Sequence, residues 1–168
     1  MILRTVNRKR PRIHPRARLA ENIVITGDVE IGKESSVWYG VVIRGDVNSV
    51  HIGERTNIQD LSCLHVTHET ADLWIGDGVT VGHMCLLHGC RINNFSLIGM
   101  GSIVMDKAIV GELSLVGAGS LVTERTVIPP GVLAFGRPAR VVRPLTPEEK
   151  EQLKQSAENY VRYSKWLG

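Results

Sequence analysis

Three histidines that fall in one interval, His65, His83 and His88, could hold a metal ion or move a proton. They stand in Cys63-Leu64-His65, Val81-Gly82-His83 and Leu87-His88-Gly89-Cys90. Neutral imidazoles bind zinc at about 2.0–2.1 Å, and three around one ion leave a coordination position open for water. Whether these three can meet depends on how the chain turns between them.

The chain turns on a beat of six. Aliphatic anchors recur at Leu19, Ile25, Ile31, Val37 and Ile43, then Ile52, Ile58 and Leu64, then Ile75, Val81 and Leu87. A last run continues through Ile92, Ile98, Val104, Val110, Val116, Val122 and Ile128. Small residues such as Ser35, Thr56, Ser62, Cys85, Ser102, Ala108, Ser114 and Ser120 stand four places after an anchor. Neither an amphipathic helix nor an alternating strand has this period. A hexapeptide repeat marks a β-solenoid, in which three short sides close a coil. Strands in successive coils then lie about 4.8 Å apart. A β-sandwich spaces its strands more loosely, at roughly 8–12 residues.

The beat slips at three places: after Ile43, around Asp46–Ser49; after Leu64, within Thr67–Asp72; and between Leu87 and Ile92. Carrying the register across these slips puts Ile43, Leu64, Leu87 and Val104 on one side and Val37, Ile58, Val81 and Ile98 on another. Arg44, His65 and His88 then follow their anchors one coil apart, and the two histidines stack in reach of one ion. His83 belongs to another side, above Gln59 and Asp60. It is expected to complete the pair of a neighbouring subunit, which predicts a homotrimer with metal sites at its interfaces. His14 and His51 fit no such pattern and read as surface residues.

Composition agrees with a narrow solenoid: aromatics are 5% of 168 residues and glycines number 17. A net charge of +3 argues for no nucleic-acid partner. No apolar run is long enough for a membrane span or a signal h-region, so no membrane association and a cytoplasmic location are expected. Pro11 and Pro15 would break the helix that a basic transit peptide needs. Three cysteines without a Cys-x-x-Cys pair suggest free thiols, with Cys85 a core filler. Residues 1–18 read as a basic strand or loop, 19–131 as the β-helix, 132–145 as an extended linker and 146–168 as a helix. Thr146-Pro147-Glu148-Glu149 is the helix start, with Thr146 as N-cap and Glu149 closing a capping box. Leu153, Ala157, Tyr160, Val161 and Ser164 form its apolar face.

The repeat resembles the left-handed parallel β-helix of bacterial acyltransferases and γ-class carbonic anhydrases, and the left hand is implied by that resemblance. Arg44-Gly45-Asp46, Asn57-Ile58-Gln59-Asp60, His65, Val81-Gly82-His83 and Leu87-His88-Gly89-Cys90 are similar to the γ-carbonic anhydrase signature, as are Leu97-Ile98-Gly99-Met100-Gly101 and Gly136-Arg137-Pro138-Ala139. The resemblance implies zinc on His65, His88 and a neighbour's His83, with iron(II) and cobalt(II) also suited to a three-histidine site. It implies reversible hydration of carbon dioxide to bicarbonate by a zinc-held hydroxide. Gln59 would orient the hydroxide, and Arg44 with Asp46 or Asp60 would fix the interface. The chain departs from active members at Val47, where they carry glutamate, and in a short loop whose only glutamate is Glu69. Proton export would then fall to Glu69, His68 or Tyr160. No other cofactor site is expected. The alternatives are a hexapeptide-repeat acyltransferase or thioester hydrolase, whose terminal segment Gly136-Arg137-Pro138-Ala139 also resembles, and a metal-bound trimeric scaffold without catalysis.

Overall fold

A computed structural model describes residues 1–167. The chain is a left-handed parallel β-helix closed by a C-terminal α-helix. Each coil has three faces, and the anchors assign themselves to them. The first face stacks Ile25, Ile43, Leu64, Leu87, Val104 and Val122. The second stacks Ile31, Ile52, Ile75, Ile92, Val110 and Ile128. The third stacks Leu19, Val37, Ile58, Val81, Ile98 and Val116. Two long strands, Val24–Ile31 and Val42–Ile52, bend around a corner and serve the first and second faces together.

All of these anchors except Leu19 are buried, and they form one continuous core. Each contributes about 1.5–3 kcal/mol by leaving water. The small residues between anchors are buried at the corners, in a slot that other coils fill with Ile23, Val29, Val41 and Val79. Their hydroxyls join one coil to the next. Ser35 Oγ donates to the Gly53 carbonyl (2.6 Å), Thr56 Oγ1 to that of Gly76 (2.6 Å) and Ser96 Oγ to that of Gly111 (2.7 Å). The same oxygens accept a backbone N–H, as Ser35 Oγ does from Thr56 (3.0 Å). Buried polar groups are thus satisfied at every turn.

Two segments differ from the sequence reading. Coiling begins at Ile2 rather than Leu19: Ile2–Arg4 and Arg12–Ile13 pair in parallel with Val24–Ile31. Leu3 and Ile13 hold anchor registers opposite Ile25 and Ile31, but the Val6–Lys9 turn between them stretches the spacing and hides the beat. At the other end, Val132–Gly136 continues the third face and returns antiparallel as Ala139–Pro144. The stretch after Pro129-Pro130 is a strand pair, with Ala134 and Ala139 buried.

The helix Pro147–Tyr163 begins where the capping box sets it. Thr146 Oγ1 accepts from the Glu149 N–H (3.2 Å), and the Glu149 carboxylate accepts from the Thr146 N–H (2.9 Å). Arg143 adds two bonds to that carboxylate at 2.7 Å each and holds it far below the usual range, at about 2. Leu153, Ala157 and Ser164 are buried, while Tyr160 and Val161 are half-buried. The helix lies along the third face of its own chain: Ser156 meets Thr80 (3.2 Å) and Tyr160 packs edge-on against Trp38 (5.7 Å). No described helix is long and apolar enough to cross a membrane.

Candidate active site

The first face carries the chemistry on its outer side. Leu86–His88 pairs with Cys63–His65 in a register that sets His88 opposite His65. The two rings meet edge-on at 5.1 Å, with His65 Nδ1 only 3.1 Å from His88 Nε2. The expected stacking is therefore observed.

A carboxylate stands behind each ring. His88 Nδ1 lies 2.5 Å from Asp106 Oδ1, and Thr67 Oγ1 donates to the other oxygen of Asp106 (2.5 Å). His65 Nε2 lies 3.1 Å from Asp46 Oδ1 and 3.0 Å from Arg44 Nη2, while Arg44 Nε donates to Asp46 Oδ2 (2.8 Å). Burial pushes the Asp46 carboxyl up, but the bonds from Arg44 and His65 more than offset it and hold it below the usual range. At Asp106 burial also acts upward, and Thr67 and His88 reverse the sign. Both carboxylates therefore remain charged at neutral pH.

Asp106 was not singled out from sequence. Met105, not Asp106, occupies the position in register with His88, so the stacking pattern passes over it. The approach depends on Gly89, which has φ +51°; a Cβ there would sit 2.9 Å from Asp106 Oδ1 and 2.7 Å from the Ala71 methyl.

The neighbours allow two proton arrangements. With both imidazoles neutral, Arg44 donates to His65 Nε2, His65 Nδ1–H donates to His88 Nε2, and His88 Nδ1–H donates to Asp106. With one more proton, His88 donates from both nitrogens, to Asp106 and to His65 Nδ1, while His65 Nε2–H turns to Asp46. Every ring N–H finds an acceptor in both states, and in the second Arg44 Nη2 gives up its bond to His65 Nε2. The pair thus has bonding room for one further proton, with Asp106 at one end and the Arg44–Asp46 ion pair at the other.

The other expected residues lie elsewhere. His83 sits at the corner between the third and first faces, its Nδ1 2.8 Å from Asp60 Oδ2. Gln59 is buried and gives its amide to Asn57 Oδ1 (3.0 Å). Tyr160 is on the helix; burial first, then Asp60 and Tyr163, push its phenol up. Glu69 is at a loop tip with its side chain 81% exposed, 3.9 Å from His68. Arg44 and Asp46 pair within one chain. Among the described residues, no group of three or more His, Cys, Asp or Glu side chains is placed to hold a metal ion. His65 and His88 suit two positions of such a set, and among the described residues no further side chain completes a three-donor group with them.

No family model matches the chain. Two solved structures match it almost throughout. One is a Bacillus cereus protein provisionally named an acetyltransferase, at 45% identity and TM-score 0.96, covering 98% of this chain and 95% of that one. The other is a hexapeptide transferase family protein from Anaplasma phagocytophilum, at 45% identity and TM-score 0.94, covering 98% and 96%. Among curated relatives, an uncharacterized transferase of Bacillus subtilis is 52% identical over 94% of both chains. A carbonic anhydrase of Geobacillus kaustophilus is 52% identical over 91% of this chain and 84% of its own.

These matches correct the expected chemistry. Metal-dependent hydration of carbon dioxide, and with it the description as a zinc-binding lyase, gives way. The structures that match the whole chain carry transferase names, and the described residues form no three-donor group. The histidine motif rides on a scaffold that both chemistries share, so its spacing did not choose between them. The chain belongs to the hexapeptide-repeat family of left-handed β-helix proteins.

Proposed function

We propose that the protein is an acyltransferase that moves an acetyl group from a coenzyme A thioester to a nucleophilic acceptor. The observation that carries this reading is the hydrogen-bonded chain Arg44/Asp46–His65–His88–Asp106. The acceptor's proton enters the histidine pair, and Asp46 and Asp106 stabilise the cation that forms. The freed nucleophile attacks the thioester carbonyl carbon; the new bond forms, the C–S bond breaks, and the departing thiolate takes the proton back from the pair. This is general acid–base catalysis by one unit of two rings. Similarity to proteins named as transferases supports it independently.

The reading includes a homotrimer. The outer side of the first face carries a stripe, Val42, Cys63, Leu86, Ile103 and Leu121, beside exposed Leu61 (64%), Met84 (61%) and Met105 (41%). Such a patch, rimmed by polar side chains, suits a heterologous contact with a different face of the next copy, the kind that closes a threefold ring. His83, at the edge of that face, would border the neighbour's histidine pair. Kinship with the γ-carbonic anhydrase-like branch is supported by the 52% identity to the Geobacillus protein, and we assign it to descent of the scaffold rather than to activity. Three free cysteines fit a reducing, cytoplasmic setting.

The test is thiol release from acetyl-coenzyme A, read with a thiol reagent against a panel of amines and alcohols. His88→Ala is expected to lower acceptor-dependent release by about 10²–10⁴-fold with the fold intact. Release that no acceptor stimulates removes the reading.

A further inference from the structure

The end of the solenoid where coiling begins is strongly basic. Its first coil, residues 1–20, carries seven arginines and lysines and no acidic residue. Acids of the next coil neutralise part of this charge: Asp28 takes Lys9 (2.7 Å) and Arg12 (3.1 Å), and Glu34 takes Arg16. Arg4, Arg8 and Arg10 are exposed, and among the described residues no carboxylate pairs with them.

Apolar side chains share this end. Leu3 stands in the anchor register opposite Ile25, yet it is 42% exposed where Ile25 is fully buried. Met1 and Ile2 beside it are exposed as well. The C-terminal helix delivers one more. It runs back along the third face, and its last turn, Ser164–Leu167, lies against Arg18–Leu19. There Leu167 packs on the core, while Trp166, 72% exposed, stacks one ring face on Tyr163 (4.8 Å) and turns the rest to solvent. Met1 N donates to the Glu21 carbonyl, so both apolar groups flank the corner that follows Leu19.

Terminal repeats of a solenoid ordinarily close the core with a polar face. This one sets aliphatic and indole side chains among unneutralised cations. A second copy placed end to end would bring like charge against like charge. A nucleic acid would meet the charge but leave the aliphatic residues idle. An anionic bilayer answers both: apolar side chains and the indole enter the headgroup layer, while the arginines stay with the lipid phosphates. We propose that this end docks the protein on the surface of an anionic lipid bilayer, through Met1, Ile2, Leu3 and Trp166 together with Arg4, Arg8 and Arg10. Docking of this kind reverses the expectation of no membrane association, and it needs no spanning segment. In the homotrimer proposed above, parallel coil axes present three such ends in one plane, and each strengthens the hold of the others.

Flotation of the full chain with lipid vesicles is the test. The protein should float with mixed phosphatidylglycerol–phosphatidylcholine vesicles and stay behind with phosphatidylcholine alone. It should leave the mixed vesicles at about 1 M salt, where charges are screened within about 3 Å. Each cation strengthens attachment about fivefold, so Arg4→Gln, Arg8→Gln and Arg10→Gln together should weaken it on the order of 10²-fold. Trp166→Ala should weaken it about tenfold. Arg137→Gln with Arg140→Gln, at the opposite end, should leave it unchanged. All of these positions are exposed, and an unmoved thermal midpoint checks that each variant is folded. No flotation with the mixed vesicles, equal flotation with phosphatidylcholine alone, indifference to Trp166→Ala, or equal weakening from the opposite end overturns the proposal. Duplex DNA bound while mixed vesicles are ignored assigns the charge to nucleic acid instead. A doubling of mass in solution that the arginine substitutions abolish assigns the end to a second copy. Thiol release enters none of these readouts, so acyl transfer stands or falls separately.

Discussion

The coils from Ile92 to Ile128 and those from Ile43 to Ile92 are built from the same hexads, yet they do different work. In the first region the beat never slips, and outward positions carry residues such as Ile103, Ile109 and Leu115, with no stacked polar pair among them. In the second, the chain leaves the coil at Gly45–Asn48 and Thr67–Ala71 and loses a residue before Ile92. Both histidines of the pair and Asp46 lie in that interval. Asp106 alone reaches in from the regular coils. The lesson is that stacking supplies rigidity and alignment, while the slips supply loops that can enclose a substrate.

The comparison can be broken most severely at Asp106. Asp106→Asn removes the charge facing the imidazolium but keeps the shape, so acetyl transfer should fall on the order of 10²-fold or more. The thermal midpoint should stay within a few degrees, and a pH–rate profile displaced from wild type would mark a positioning role. A large fall in midpoint with an unmoved profile would make Asp106 merely structural. Next in size is Ile98→Ala in the third-face stack. It should cost about 2–5 kcal/mol in denaturant unfolding, whereas Glu69→Gln in the excursion should stay within about 0.5 kcal/mol. Similar costs for both would erase the division between coil and loop.

The smallest expected effect concerns the helix cap. Glu149 titrates at about 2 in the folded chain against 4.5 when free. A depressed carboxylate stabilises above its unfolded value and loses that contribution as pH falls through the folded one. The difference in thermal midpoint between wild type and Glu149→Gln should therefore be full above pH 4.5 and vanish toward pH 2. A gap that is constant with pH would show that the carboxylate charge plays no part.

Much of the fold and part of the site are legible in the sequence. The anchors, the three slips, the capping box at Thr146 and the register of His65 over His88 all follow from spacing, because a solenoid converts sequence distance directly into height. What escaped notice did so for physical reasons. The first coil was obscured by the Val6–Lys9 turn, which lengthens the step from Leu3 to Ile13. Asp106 was passed over because its backbone is out of register and only its side chain reaches back. The metal chemistry expected from the histidines gives way to the comparisons rather than to the register, because proteins of both names share this scaffold.

The reversed strand Ala139–Pro144 has one more consequence. A helix of parallel coils is an open stack, and its last rung is a template on which a second molecule's first rung could continue. By running backwards along the third face, and by presenting Arg140, Arg143 and Pro144 at its outer edge, this strand spoils the template. Threading end to end into fibres is thereby discouraged along the third face.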